Sequence, residues 1–168
     1  MRIELPEPCL VVLVGAAGSG KSTLAARLFE AADVLSSDAY RELVSGDPAD
    51  QGATRAAFSI LHRELDRRLA SHRTTVIDAT SVTAHARRSL TRLAARHGIA
   101  AIAIVLDLEP ALVQARNATR PGRIVPSEAV AQQLESLARS LRGRGLAAEG
   151  FAAVHVVRSA ADLDALTR

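Results

Sequence analysis

Residues 15–22 read Gly-Ala-Ala-Gly-Ser-Gly-Lys-Ser, the spacing G-x-x-x-x-G-K-[ST], with Thr23 next in line. These residue types at this spacing suit one chemistry. Backbone N–H groups of a tight glycine-rich loop cradle phosphates, the lysine reaches the terminal phosphates, and the hydroxyl holds Mg²⁺. Lys21 is the only lysine among 21 cationic residues, every other one being arginine. A slim, flexible ammonium fits beneath such a loop where a broad guanidinium does not. Gly15, Gly18, Ser19, Gly20, Lys21, Ser22 and Thr23 are therefore the candidate nucleotide-binding set. The plainer reading is a Gly/Ala-rich turn with a solvated lysine, and the flanking sequence opposes it. Cys9-Leu10-Val11-Val12-Leu13-Val14 is nearly all apolar, as a strand buried on both faces should be. Residues 23–29 read as a helix with Leu24 and Leu28 four apart, so a helix N-terminus and its free N–H groups face the loop.

Further residues that can do chemistry lie at the ends of later elements. Asp38 falls just past a short strand-like run over 33–38, where ligands of open α/β sheets bind. A carboxylate there can accept the proton of an attacking hydroxyl, or it can simply cap the helix that follows. Arg41 shares its helix face, three residues on, and can either grip an anionic substrate or pair with Asp38. Gln51, in the turn-rich stretch 45–52, either borders the same pocket or is a loop residue. Asp78 ends the apolar run Thr74-Thr75-Val76-Ile77, as a metal-holding acid does in phosphate-loop enzymes; a turn-capping role is the alternative. Ala79 follows it instead of the glutamate that activates water in many ATP-driven motors, which favours a transferase over a hydrolase. Arg116, Arg120 and Arg123 surround a break at Pro121-Gly122 and read as a mobile lid over phosphates, about residues 116–126, or else as surface arginines. His62, His72, His85, His97 and His155 lack metal-ligand spacing and read as structural.

The elements that must hold these residues alternate. Apolar runs at 9–14, 33–38, 74–78, 99–108 and 152–157 are separated by helical patterns at 39–44, 53–71, 83–97 and 110–119, by one starting at Pro126, and by a short last helix with Leu163 and Leu166. That order predicts a parallel sheet flanked by helices, as one domain over 1–168. With 48% hydrophobic residues the chain can bury a core, and its net charge of +3 permits a phosphate-rich partner. Aromatics make up only 2%, so contact with nucleic acid would rest on phosphate and the chain end and not on base stacking. A single cysteine, Cys9, excludes an internal disulfide and predicts a reducing compartment. Arg2 before an apolar run imitates a leader, but Glu4 and Glu7 spoil it and cleavage would destroy the loop. No run approaches the ~18 apolar residues of a membrane span. A cytoplasmic protein without a membrane partner is expected.

With the glycine-rich loop, Asp38-x-x-Arg41, Ile77-Asp78-Ala79-Thr80 and the run Arg116-Asn117-Ala118-Thr119-Arg120-Pro121-Gly122-Arg123-Ile124-Val125-Pro126 in this order, the chain resembles the kinase domain of bacterial polynucleotide kinase-phosphatases, within the wider P-loop polynucleotide kinase-like family. The resemblance covers nearly the whole length. It implies an adenylate-kinase-like three-layer α/β sandwich and Mg²⁺-dependent transfer of the ATP γ-phosphate to a 5′-hydroxyl end of RNA or DNA, as in end repair. It also implies phosphate and metal binding by Lys21 and Ser22, with Asp38 as general base. Arg41 would hold the 3′-phosphate of the terminal nucleotide, and Arg116 and Arg123 would clamp ATP. The chain departs from the pattern in lacking the phosphatase and ligase domains of the larger enzymes, and in carrying Ser81 where asparagine often stands. A small-molecule kinase of the same fold, acting on a sugar acid, antibiotic or nucleoside hydroxyl, would use the same Lys21, Ser22 and Asp38. A catalytically silent ATP-binding module needs neither Asp38 nor a lid. A GTPase switch is poorly supported, because its guanine-reading motif Asn-Lys-x-Asp needs a lysine beyond the glycine-rich loop and the chain has none.

Overall fold

The computed structural model describes every residue except 1, 48, 49, 51, 122 and 144; Gln51 thus lies outside the described residues. Five strands, β1 (Cys9–Val14), β2 (Val34–Ser36), β3 (Thr75–Asp78), β4 (Ala100–Leu106) and β5 (Ala153–Val157), form one parallel sheet in the order β2-β3-β1-β4-β5. Helices α1 (Lys21–Leu28), α2 (Ser37–Ser45), α3 (Thr54–Ala70), α4 (Ala84–Arg96), α5 (Pro110–Ala118), α6 (Ser127–Arg142) and α7 (Ala160–Asp164) cover it. This is the expected P-loop kinase fold, a sheet between two helical layers.

Alternation along β1 sorts its side chains between the layers. Cys9, Val11 and Leu13 pack with Leu24 and Ala25 of α1, Val113 of α5 and Leu163 of α7. Leu10, Val12 and Val14 pack with Leu61, Leu65 and Leu69 of α3 and Leu90, Leu93 and Ala94 of α4. The four-residue leucine repeat of α3 is therefore its buried face. Helix α6 serves both layers, giving Val130 to the first and Leu137 to the second.

Register sets the site edge. Asp78 pairs with Leu13 on one side and with Ser36 on the other, so the carboxyl ends of β1, β2 and β3 finish level. The loops that follow β1 and β3 are joined directly, the Gly15 N–H donating to the Thr80 carbonyl at 3.0 Å. Several boundaries differ by one or two residues from the sequence reading, among them the start of α1 at Lys21 and the end of β4 at Leu106. Two further differences move named side chains. Strand β2 stops at Ser36, and α2 starts at Ser37, so Asp38 stands in the first turn of a helix and not beyond a strand. Helix α7 ends at Asp164, which leaves Leu166 outside it but still in the core. Ser36 is why α2 starts early: its side chain accepts the Ala39 N–H and caps the helix.

Candidate active site

The turn after β1 is shaped by what glycine allows. Gly18 has φ +87°, and a Cβ there would stand 2.5 Å from the Val113 carbonyl oxygen and 3.0 Å from the Asn117 amide nitrogen. Any side chain would push the loop off α5. Gly20 precedes α1 without a capping side chain, and α1 carries no acid in its first turn. Its first amides and dipole end are thus presented to an anion.

Lys21 is 8% exposed, and its Nζ donates to the Ala16 carbonyl at 2.9 Å and to Ser19 Oγ at 3.5 Å. Burial pushes the ammonium down to about 8; Asp78 opposes this and Arg120 adds to it. A phosphate brought beside it would reverse the penalty.

Two cavities meet at this lysine. The outer one, about 470 Å³, is lined by Gly18, Gly20, Thr23, Arg27, Arg116 and Leu163, among others. The inner one, about 180 Å³, is lined by Asp38, Arg41, Asp78, Arg123 and Gln133, and by Thr54 and Phe58 of α3. Lys21, Ser22 and Arg120 line both. A molecule whose phosphate tail lies along the outer cavity would present its last phosphate where these three side chains stand, facing the inner one.

In the inner cavity one carboxylate meets three guanidiniums. Arg41, 5% exposed, donates to Asp38 Oδ1; Arg123 Nη1 donates to the same oxygen at 2.8 Å; Arg120 Nη2 lies 3.8 Å from Oδ2. Both alternatives for Arg41 are compatible with this geometry: it pairs with Asp38 and it lines the cavity. Asp38 is not the helix cap, since Ser36 fills that place. Burial, then the neighbouring Arg123, pushes Arg41 below its ordinary value; burial, then Arg120, does the same to Arg123. Positive charge is in excess here, which suits an anionic guest.

The lid arginines divide between the cavities. Arg116 lines only the outer one, Arg123 only the inner, and Arg120 both. One buried side chain, which sequence reasoning did not single out, closes the base of this segment. Asn117, 2% exposed, donates from Nδ2 to the Val125 carbonyl at 2.7 Å and accepts the Val125 N–H at 3.2 Å. Gln133 of α6 was missed as well: its Oε1 accepts the Ala17 N–H of the phosphate loop at 2.8 Å. Thr54 was missed too; its buried Oγ1 has no hydrogen-bond partner among the described residues. Ser81, where asparagine often stands in the resembled family, has φ +46°. Asparagine enters that region more readily than most residues, so the preference has a backbone cause.

Asp78, 8% exposed, and the Ser22 hydroxyl line the same cavity. A carboxylate, a hydroxyl and phosphate oxygens are the hard donors that Mg²⁺ takes. No group of three or more His, Cys, Asp or Glu that could hold a metal ion is found among the described residues. No described helix is long and apolar enough to cross a membrane.

A family model described as an AAA domain matches residues 10–143. No curated protein is similar enough to match the chain. Among solved structures, a chain of the Pnkp1/Rnl/Hen1 RNA repair complex superposes with a TM-score of 0.67 at 19% identity, over 81% of this chain and 46% of that one. The chain thus spans about half the length of that relative. A gluconokinase from Sinorhizobium meliloti 1021 superposes at 0.60 with 23% identity, over 96% of this chain and 88% of that one. Shikimate kinase from Acinetobacter baumannii, in complex with shikimate, gives 0.56 at 20% identity, over 94% and 88%. At such identities the likeness is one of fold, and the fold is that of P-loop kinases.

Proposed function

Since the chain belongs to this family of AAA domains, we propose that it transfers the γ-phosphate of ATP to a 5′-hydroxyl end of RNA or DNA. The observation that carries the reading is Asp38, held beside the buried Arg41 in the inner cavity that Lys21 and Ser22 also line. An acid and a fixed guanidinium side by side suit a hydroxyl with a phosphate one sugar away: Asp38 takes the hydroxyl and Arg41 the phosphate.

In the proposed reaction, the loop amides of residues 18–23 and Lys21 hold the phosphates of ATP. Ser22 and Asp78 would hold Mg²⁺, which would supply neutralisation of phosphate charge. The acceptor oxygen attacks the γ-phosphorus in line as the bond to the β-phosphate oxygen breaks. The hydroxyl proton passes to Asp38, and ADP leaves. Asp38 is engaged by Arg123 and Arg120 in the structure, so those guanidiniums must be drawn off before a hydroxyl can replace them. The triphosphate supplies the competing anion. Arg116, with Arg120 and Arg123, then stabilises the transferring phosphoryl group, and Arg41 stays for the acceptor.

A second reading has its own observation. The inner cavity of about 180 Å³ matches a small hydroxy acid in size, and Arg41 would then grip a carboxylate. Incubation with γ-labelled ATP and Mg²⁺ separates the two. We expect label on a 5′-OH oligonucleotide and none on gluconate, shikimate or similar hydroxy acids; label on a hydroxy acid alone would overturn the polynucleotide reading.

A further inference from the structure

Gln133 reaches the phosphate loop from 116 residues away and meets it as an acceptor. A backbone N–H can only donate, so the end of the Gln133 amide facing Ala17 at 2.8 Å is its oxygen. The other end of the amide, Nε2, carries two N–H donors, and Gln133 lines the inner cavity together with Lys21, Ser22, Arg120 and Asp38. Of the two cavities, Gln133 lines the inner one and not the outer, so a phosphate tail lying along the outer cavity would approach it with its distal end. A neutral donor also fits the electrostatics, because it adds a hydrogen bond for an anion without adding another charge to three guanidiniums and an ammonium.

We infer that Gln133 senses the terminal phosphoryl group, its oxygen clasping the Ala17 amide while Nε2 donates to a γ-phosphate oxygen. The inference rests on the phosphotransfer reading of the loop, though not on the identity of the acceptor. Because Gln133 lies on α6, which follows the lid segment directly, the contact also ties the lid's C-terminal anchor to the loop it covers. A nucleotide lacking the γ-phosphate would leave the Nε2 donors facing the cavity.

Gln133→Glu separates the two ends of the side chain. It keeps an oxygen for the Ala17 N–H but replaces the donor with an anionic acceptor. Titrating ADP and a β,γ-methylene ATP analogue, each with Mg²⁺ and no acceptor, should show ADP affinity within about threefold of wild type. The analogue should weaken by about thirtyfold or more. Gln133→Ala, which removes both contacts without adding charge, should weaken the analogue by about fivefold more than ADP. Equal weakening of both nucleotides in either variant, or wild-type affinities in Gln133→Glu, would overturn the inference and leave Gln133 as a loop clasp. Failure to label any oligonucleotide would sink the proposed acceptor and leave this selectivity intact.

Discussion

Two arginine clusters in this molecule differ in how their charge is met. Arg87, wholly buried in α4, donates to Glu149 at 2.5 and 2.7 Å, to Ser140 Oγ at 2.9 Å and to the Ser81 carbonyl at 2.9 Å. One cation meets one anion, and two neutral acceptors take further hydrogens. Around Asp38 three cations meet one anion, the carboxylate being shared among Arg41, Arg120 and Arg123. The first cluster is complete without any ligand, and it braces the turn after β3 against α6. The second keeps surplus charge beside a cavity. In a chain whose cations are nearly all arginine, residue type does not separate structural from functional positions; the local ratio of charges does.

Breaking the second cluster should cost chemistry and spare the fold. Asp38→Ala is expected to lower kcat by about 10²–10⁴-fold, the usual worth of a general base. ADP affinity and thermal stability should stay close to wild type, and unchanged turnover would remove Asp38 from the mechanism. Breaking the first should do the opposite. Arg87→Ala strands Glu149 in the interior and should destabilise by about 3–5 kcal/mol, read as a fall in Tm on the order of 10 °C. Arg87→Met combined with Glu149→Leu should recover much of that loss, because no lone charge remains. A double variant as unstable as the single would show that the pair itself stabilises.

A smaller effect sharpens the comparison inside the acceptor cavity. Arg41→Ala should raise the KM for a 5′-OH oligonucleotide by about ten- to a hundredfold, as expected for a lost charge-assisted contact of about 1.5–3 kcal/mol. The KM for ATP should hardly move; equal changes in both would argue against a phosphate contact. The mildest test is pH. Bound phosphate favours charged Lys21, whereas in the free protein burial brings it from 10.5 to about 8. Below about 8 both states are protonated and affinity is flat. Above it, binding must take up a proton, so ADP affinity should fall by up to about tenfold per pH unit until the complex itself deprotonates. Calorimetry in buffers of different ionisation enthalpy would register that proton.

The phosphate loop, the five strands and the inward faces of α3 and α4 were legible because each is written locally, in contiguous glycine spacing or in a period of two or four. What the sequence did not display was who meets whom across the sheet edge. Arg123 reaches Asp38 across 85 residues, and Gln133 reaches Ala17 across 116. Nothing in the spacing of Gln133 sets it apart from its neighbour Gln132. Asn117 lay inside a run chosen for its arginines, and its role as the clasp at the base of the lid depends on a return of the chain at Val125 that only the fold supplies. The early start of α2 is a local exception: Ser36 is a fair cap, but Asp38 competes for the same reading.

The solitary Lys21 has a practical outcome. In a chain whose remaining cationic side chains are guanidinium, an amine-acylating reagent finds a single primary-amine side chain, and its lowered proton affinity leaves much of it nucleophilic near pH 8. The extent of acylation at Lys21, with and without nucleotide, would then serve as an occupancy gauge: a mass increment on the lysine-bearing peptide, distinct from that of the chain's α-amine, that fades as the loop fills.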